Sequence, residues 1–298
     1  MKNLTIIKKE YQRVGYDEHD IEPLEFVEVK AEYNEAGQIT REERFDADGN
    51  INTLTVNQYD EQHRLVQSEQ FDQDNILLQK TVNTYEGDTL TQQSNFFGES
   101  DFEYVTKFVY DSDGNLIRQE MYDDGELDYV EKAMEYADGR LVKETENDDY
   151  GKVMYVNTYA YDEQGRVIRH VRDEVQNKDR RTYEFTYDAN GNRIKDLIYD
   201  YGNALIAKTY RTFDEQNRLV ETEEEDLDHY RKIVMEYDGA QVVKNSLHDR
   251  DGQLQGWAEY TYDENGKENS SREFIHDEVQ PDNFRMLRET LYVRDARD

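Results

Sequence analysis

The segment Tyr161-Asp162-Glu163-Gln164-Gly165-Arg166-Val167 decides the fold, because versions of it recur along most of the chain. Its aromatic position is occupied again every 24 to 26 residues. The ten aromatic anchors are Tyr33, Tyr59, Tyr85, Tyr110, Tyr136, Tyr161, Tyr187, Phe213, Tyr237 and Tyr262. A period this regular indicates a tandem array in which each copy is one supersecondary unit.

A second turn signal lies about halfway through most repeats, for example Phe45-Asp46-Ala47-Asp48-Gly49-Asn50. Turns this close together leave room for strands of roughly eight residues, which is typical of β-hairpins. The aspartate can accept a bond from its own backbone, and the later glycine supplies a left-handed conformation. Where that glycine is missing the chain has His63, Asn75 or Asn217, types that tolerate positive φ. The position is therefore predicted to meet a backbone requirement.

These signals predict an all-β fold of about twenty antiparallel strands in tandem hairpins of about 25 residues. A sheet this large rarely stays open, so we expect a curled sheet, a spiral shell or a wide tube. The repeat array is predicted over residues 27–275, with caps at 1–26 and 276–298. Residues 285–293 fit either a final strand or a short helix. A parallel β-solenoid is the alternative, but its interior would need continuous aliphatic stacks.

The chain has 298 residues, a formal net charge of −33, 24 tyrosines and no cysteine. The lack of cysteine excludes disulfides and thiolate metal sites. No apolar run reaches the length of a membrane helix, and the first ten residues lack the apolar stretch of a signal peptide. We therefore expect a cytoplasmic protein, or an extracellular one if a signal peptide has been removed.

These motifs resemble the YD-repeat family of bacterial proteins, also called rearrangement-hot-spot or RHS-like proteins. That family's repeat reads roughly Tyr-Asp, two variable residues, Gly, a basic or polar residue and Leu, matched best at 161–167 and 187–192. The resemblance covers about residues 27–275 and implies a spiralling antiparallel shell, which in the family surrounds a toxin domain. This chain departs from the family in its longer period, its ten repeats, and its lack of a core-protease signature or appended toxin domain.

The chain is also similar, more distantly, to short bacterial antitoxin proteins built from Tyr- and Gly-rich hairpin repeats. A turn-and-ladder motif transfers fold much better than it transfers function.

No motif commits the chain to catalysis, so we predict that it is not an enzyme and uses no cofactor. The Asp-x-Asp-Gly-Asn segments at Asp46 and Asp111 resemble the start of a calcium loop, but Asn57 and Tyr122 stand where the twelfth, bidentate ligand would be. A hairpin turn is the better interpretation, and no metal is predicted. The six histidines never fall in a close pair, and we expect them in solvent or in turns.

The net charge of −33 predicts repulsion of nucleic acid and anionic membranes and attraction of a basic protein partner. The predicted binding site is a band of mid-strand charged residues: Arg41, Glu43, Glu69, Arg118, Glu120, Lys143, Arg169, Glu221 and Glu223. Strand alternation predicts that they share a face with Leu65, Leu116 and Tyr122. The alternative is that they are cross-strand ladders that stabilise the sheet itself.

Three functions are compatible with these observations. The first is a non-enzymatic protein-binding repeat protein, such as a bacterial immunity or chaperone-like factor that binds a basic toxin or effector. The second is a structural shell fragment of a secreted YD-repeat assembly, and the third is a carbohydrate-binding protein that uses its tyrosines.

Overall fold

The computed structural model describes residues 3–13, 21–98, 103–276 and 284–294. These residues form twenty-two strands, and no helix among them is long and apolar enough to cross a membrane. The strands are β1 (Asn3–Arg13), β2 (Ile21–Tyr33), β3 (Ile39–Phe45), β4 (Ile51–Tyr59), β5 (Leu65–Phe71), β6 (Leu77–Glu86), β7 (Thr89–Phe97), β8 (Glu103–Tyr110), β9 (Leu116–Asp123), β10 (Glu126–Ala137), β11 (Arg140–Asn147), β12 (Val153–Tyr161), β13 (Val167–Glu174), β14 (Asp179–Tyr187), β15 (Arg193–Tyr199), β16 (Leu205–Phe213), β17 (Leu219–Asp226), β18 (Tyr230–Asp238), β19 (Gln241–His248), β20 (Leu254–Tyr262), β21 (Glu268–His276) and β22 (Phe284–Arg294).

The sheet is a closed antiparallel barrel. Each strand pairs with the next strand in the chain, and β1 also pairs with β22. The closing pair runs from Leu4 opposite Arg294 to Glu10 opposite Arg288. The prediction of tandem hairpins that curl into a tube is confirmed, and the parallel solenoid is excluded.

The segments that flank the repeats supply the two strands that close the barrel. β1 lies within residues 1–26 and β22 within 276–298, and residues 285–293 form a strand. The repeats alone predict about twenty strands, and β1 and β22 account for the other two. The Tyr-Asp turns follow the even-numbered strands, so they share one end of the barrel, here called the tyrosine rim. The described turns that follow odd-numbered strands lie at the opposite end, here called the far rim.

The turn after β8 shows the hairpin chemistry of the repeat. The Gly114 N–H donates to the Asp111 carbonyl at 3.2 Å, and the Asp111 N–H donates to the Asn115 carbonyl at 2.9 Å. The Asp111 carboxylate accepts the backbone N–H groups of Asp113 and Asn115, both at 2.9 Å. Gly114 has a φ of 84°, so this is a type I turn closed by a left-handed residue.

The residues that replace glycine in other turns adopt the same backbone. His63, Asn75 and Asn217 have φ values of 63°, 60° and 65°. This confirms that the position is set by conformation, since these residue types reach the left-handed region more readily than most.

A β-bulge follows each of the ten Tyr-Asp turns. Between β4 and β5, Gln58 pairs with Gln67 but Tyr59 pairs with Leu65, so Val66 is the extra residue. The extra residue reverses the alternation, which places Leu65 on the face of Tyr59 and Gln67 on the other. We call the face that carries the aromatic anchors the tyrosine face, and the other the reverse face.

The anchor tyrosines tie each repeat to the one before it. Eight of them donate their hydroxyl group, at 2.6–3.1 Å, to the carbonyl of the first strand residue after the preceding turn or its neighbour. The pairs are Tyr59 to Ile39, Tyr85 to Leu65, Tyr110 to Leu90, Tyr136 to Leu116, Tyr161 to Leu141, Tyr187 to Val167, Tyr237 to Leu219 and Tyr262 to Val242.

The barrel wall is a single sheet, and both of its faces are exposed to solvent. Its accessible surface is 18832 Å², against about 13,000 Å² for a compact monomer of this mass. Among the described residues, no side chain is fully buried, and Val29, Ala31 and Leu54 are the only buried apolar ones. Substantial contacts join only neighbouring strands of the wall. Barrels of about sixteen or more strands leave room for an aqueous lumen, so the fold is a hollow shell.

Candidate functional site

The strand pairing places all nine residues of the predicted site on the reverse face. Glu120, for example, pairs with Lys107 and Val130, whereas the aromatic anchor of that hairpin, Tyr110, lies on the other face. The nine residues occupy six strands between β3 and β17. They therefore form a band along much of the barrel wall, and the structure does not gather them into one cluster.

Most of the band consists of ion pairs within the wall. Seven of the nine residues pair with a charged neighbour: Arg41 with Glu43 at 2.7 Å, Glu69 with Lys80 at 3.8 Å, Arg118 with Glu120 at 2.9 Å, Lys143 with Glu135 at 2.6 Å, and Glu221 with Lys232 at 2.8 Å. Arg169 and Glu223 stand directly opposite Glu184 and Lys232 in the sheet. This arrangement supports the ladder interpretation of these charges.

One expectation about the faces is wrong. Leu65 and Leu116 pair with Tyr59 and Tyr110, so they lie on the tyrosine face, away from the charged band. The bulge after each Tyr-Asp turn is the reason, because strict alternation from the turn would have put them with Glu69 and Glu120.

Tyr122 does lie with the band on the reverse face. Its hydroxyl donates to the Glu120 carboxylate at 3.1 Å, and the Lys107 ammonium lies 3.8 Å from its ring centroid. The hydrogen bond to Glu120 raises the pKa of the Tyr122 hydroxyl. Three polar groups on two neighbouring strands, β8 and β9, are thus engaged with one another.

Much of the excess negative charge lies at the rims. Nine of the ten connections on the tyrosine rim carry a net negative charge, while acids and bases largely alternate on the strands. Many turn aspartates are held by hydrogen bonds: the Arg64 side chain donates to Asp60 at 2.7 Å and lowers the pKa of that carboxyl group. The rims therefore carry ionised carboxylates, and those of the turn aspartates are fixed in place by hydrogen bonds. Sequence reasoning missed this partition because it assigned the charge to the strands.

The tyrosine face holds a partly buried polar cluster that the sequence did not reveal. The His170 ring lies between Tyr159 and Tyr183, with centroid distances of 4.8 and 5.1 Å. Its Nε2 lies 3.0 Å from Oδ1 of Asn157, which is 2% exposed. Burial, with the charge of Arg172, lowers the pKa of His170. The expectation that every histidine sits in solvent or a turn is wrong for His170, because three strands in register enclose it.

A second buried group is the Asp196 carboxylate, which is 5% exposed. Arg193 donates to it at 2.7 Å, and the Arg211 guanidinium approaches to 2.9 Å from the next strand. The hydrogen bond to Asp196 raises the pKa of Arg193. A carboxylate held by two guanidinium groups is neutralised, so we interpret this cluster as a structural contact between β15 and β16.

The calcium-like segments are hairpin turns in the structure. The Asp46 carboxylate accepts the backbone N–H groups of Asp48 and Asn50 at 3.0 and 2.9 Å. In the described ranges, no group of three or more acidic or histidine side chains could hold a metal ion.

No protein-family model and no curated protein sequence matches the chain. Among solved structures, TcdB2-TccC3 shares 13% identity and a TM-score of 0.38, over 95% of this chain and 19% of that chain. TcdB2-TccC3-TEV shares 15% identity and a TM-score of 0.38, over 84% and 15%. A porin-like protein from Bacteroides uniformis shares 10% identity and a TM-score of 0.36, over 97% and 96%.

The chain thus spans less than a fifth of the length of the TcdB2-TccC3 chains it matches. Identities and TM-scores at this level assign neither family nor function. The likeness to YD-repeat proteins stays one of turn motif and hairpin architecture.

Proposed function

We propose that this protein is a non-enzymatic β-shell that binds a basic protein partner in the cytoplasm. The observation that carries the proposal is the partition of charge. The strand charges largely neutralise one another in ladders such as Glu221 with Lys232, while the excess carboxylates stand on the rims of a hollow barrel. A shell of this kind presents a negative potential to a positively charged protein that approaches either end.

A basic toxin or effector is the class of partner that this potential fits best, and the protein would act as its immunity or chaperone-like factor. Complementary charge mainly raises the association rate and the selectivity for such a partner. The carboxylates need no rearrangement to act, because turn hydrogen bonds such as that from Arg64 to Asp60 already fix them.

Closure of the sheet supports this function over that of a structural shell fragment. The described strands leave no unpaired edge, since β1 and β22 cover each other. An open spiral would need a neighbouring module to cover its edges.

The tyrosines give little support to carbohydrate binding. The Tyr187 hydroxyl is bonded to the Val167 carbonyl at 2.8 Å, and its ring faces the Arg166 guanidinium at 4.6 Å. Anchors engaged in this way are poorly placed to serve as a sugar platform.

The proposal is tested by purification of the tagged protein from its native host, identification of the bound protein, and reassembly from the two purified components. We expect a partner of net positive charge, with an association rate that falls steeply as salt rises. A partner of net negative charge, or an association rate that salt does not change, would contradict the proposal.

A further inference from the structure

The tyrosine face is interrupted by an apolar cleft of about 600 Å³ between β18 and β21. Ile233, Leu247, Gly256 and Ile275 form one row across these four strands, each paired with the next. Gly256 has no side chain to fill its place in the row, so three aliphatic side chains surround bare backbone. Leu247 remains 38% exposed there.

The glycine is required by the wall itself. A Cβ added at Gly256 would lie 2.5 Å from the carbonyl oxygen of Phe274 on the neighbouring strand. No larger residue fits without a backbone shift, so the gap in the row is a fixed feature of the surface.

The next row of the same cleft is polar and incomplete. It runs from Asn245 through Ala258 to Glu273. The Asn245 amide donates to the Tyr260 hydroxyl at 3.2 Å, but its Oδ1 is buried and has no hydrogen-bond partner among the described residues. Glu273 is only loosely paired, with Arg288 at 3.8 Å. The Asn245 oxygen is closed off from solvent, whereas the Glu273 carboxylate is partly exposed and can accept an incoming cation.

We propose that this cleft seats an aliphatic side chain of the partner, with an adjacent lysine or arginine of the partner bound to Glu273. The inference rests on the proposed function and names the contact site of the same basic protein. Apolar walls with a few polar groups are the usual composition of a binding pocket, and the volume lies within the usual range of ligand pockets. The acidic groups that line the cleft, Asp249 and Glu273, outnumber its one arginine, Arg231, so the site selects a cationic segment.

Three labelled peptides separate the apolar from the electrostatic component: acetyl-Lys-Leu-Lys-amide, acetyl-Lys-Ser-Lys-amide and acetyl-Glu-Leu-Glu-amide. Fluorescence anisotropy with the full chain is expected to show binding of the first that is about tenfold tighter than that of either other peptide. Leu247→Ser should abolish the preference for leucine over serine. Leu205→Ser is the matched control, since Leu205 is also exposed, at 46%, but lies on β16 outside the cleft.

The proposal is overturned if the wild-type protein binds the leucine and serine peptides equally, or if Leu247→Ser leaves the preference intact. The intact partner then separates this inference from the proposed function. Equal affinity of that partner for the wild-type and Leu247→Ser proteins overturns the cleft assignment and leaves the function standing. Failure of any basic partner to bind the wild-type protein overturns the proposed function. The peptide comparison still decides whether the cleft selects an aliphatic side chain that has a lysine beside it.

Discussion

The Arg166 guanidinium lies 4.6 Å from the ring centroid of Tyr187, the aromatic anchor of the next repeat. The contact recurs on the tyrosine rim between Arg64 and Tyr85 at 4.7 Å and between Arg218 and Tyr237 at 4.5 Å. Arg166 also donates to the Asp162 carboxylate of its own turn at 2.7 Å, and to the Asp188 carbonyl of the next turn at 3.4 Å. One side chain therefore links two successive turns.

Replacement of Arg166 by alanine should lower the free energy of unfolding by about 0.5–1 kcal/mol, the range for a partly exposed cation on an aromatic ring. Urea denaturation measures the change. Arg180→Ala is the control, because Arg180 forms an exposed ion pair with Asp173 and such pairs contribute little. An equal loss in both variants would contradict a special role for the arginine on the ring.

The anchor hydroxyl groups should contribute measurably to stability. Tyr161→Phe removes the donor to the Leu141 carbonyl at 2.6 Å, and we expect a loss of about 0.5–1.5 kcal/mol. Phe213 is the natural counterpart, since it occupies an anchor position without a hydroxyl group. Phe213→Tyr should leave stability unchanged or raise it. Unchanged stability of the Tyr161→Phe variant would show that the ring packing alone matters and that the hydroxyl group does not contribute.

The turn glycines should respond to backbone strain alone where space allows. An added Cβ at Gly114 meets no atom within 4 Å, whereas at Gly165 it would meet the Arg140 guanidinium at 2.9 Å. Gly114→Val is therefore the cleaner test and should cost on the order of 1–2 kcal/mol, because β-branched residues avoid positive φ. Gly114→Asn should be much milder in the same thermal unfolding measurement. If the two variants are alike, the left-handed turn is not what selects glycine.

The repeat and its turns could be predicted because their chemistry is local. The carboxylate of Asp111 and the left-handed Gly114 act within five residues, so the sequence motif contains nearly all the information that the hairpin needs. The period then fixes the number of strands, and a meander with such short connections can only be antiparallel. Closure by β1 and β22 could not be predicted, because it pairs segments that lack the repeat and lie at opposite ends of the chain.

Which side chains lie on which face could be predicted only in part, because a single extra residue moves all later side chains of a strand to the opposite face. Val66 is such a residue, and it moves Leu65 to the face opposite Glu69. The stack of Tyr159, His170 and Tyr183 depends on the register of three strands, which no single segment specifies. The cleft at Gly256 is missed for the same reason, since its row exists only across four strands.

Stability should fall in acid because the folded turns hold their aspartates in the ionised form. A side-chain hydrogen bond from Asn115 is the main cause that lowers the pKa of Asp111 below its ordinary value of 3.8. A lowered carboxyl pKa contributes stability that is complete above the unfolded pKa and is lost as pH falls through the folded one. The thermal midpoint should therefore stay level down to about pH 4 and drop below it.

Asp111→Asn should flatten this acid limb, since the amide oxygen can still accept the two turn N–H groups but does not titrate. Asp113→Asn removes the same charge from the same turn, where Asp113 takes part through its backbone N–H. The Asp113→Asn control should keep the dependence of the thermal midpoint on pH that the wild-type protein shows. A midpoint that is insensitive to pH between 4 and 2.5, on the order of the range in which these groups titrate, would contradict the turn electrostatics.

Reversal of charge in the mid-strand band separates its two possible roles. Glu221 pairs with Lys232 at 2.8 Å, and Glu223 stands opposite that same lysine in the sheet. Both side chains are partly exposed, so we expect the double variant Glu221→Lys, Glu223→Lys to fold, with a loss of about 1 kcal/mol or less per broken pair.

If the band also guides a basic partner, the variant should capture it more slowly and with a flatter dependence on salt. Stopped-flow association with the purified partner measures the association rate and its dependence on salt. Arg180→Ala is the control, because Arg180 is similarly exposed but its loss removes a positive charge, which should not slow the capture of a basic partner. Unfolding of the double variant without any partner would assign the band to the ladders alone and rule out its use as a binding surface.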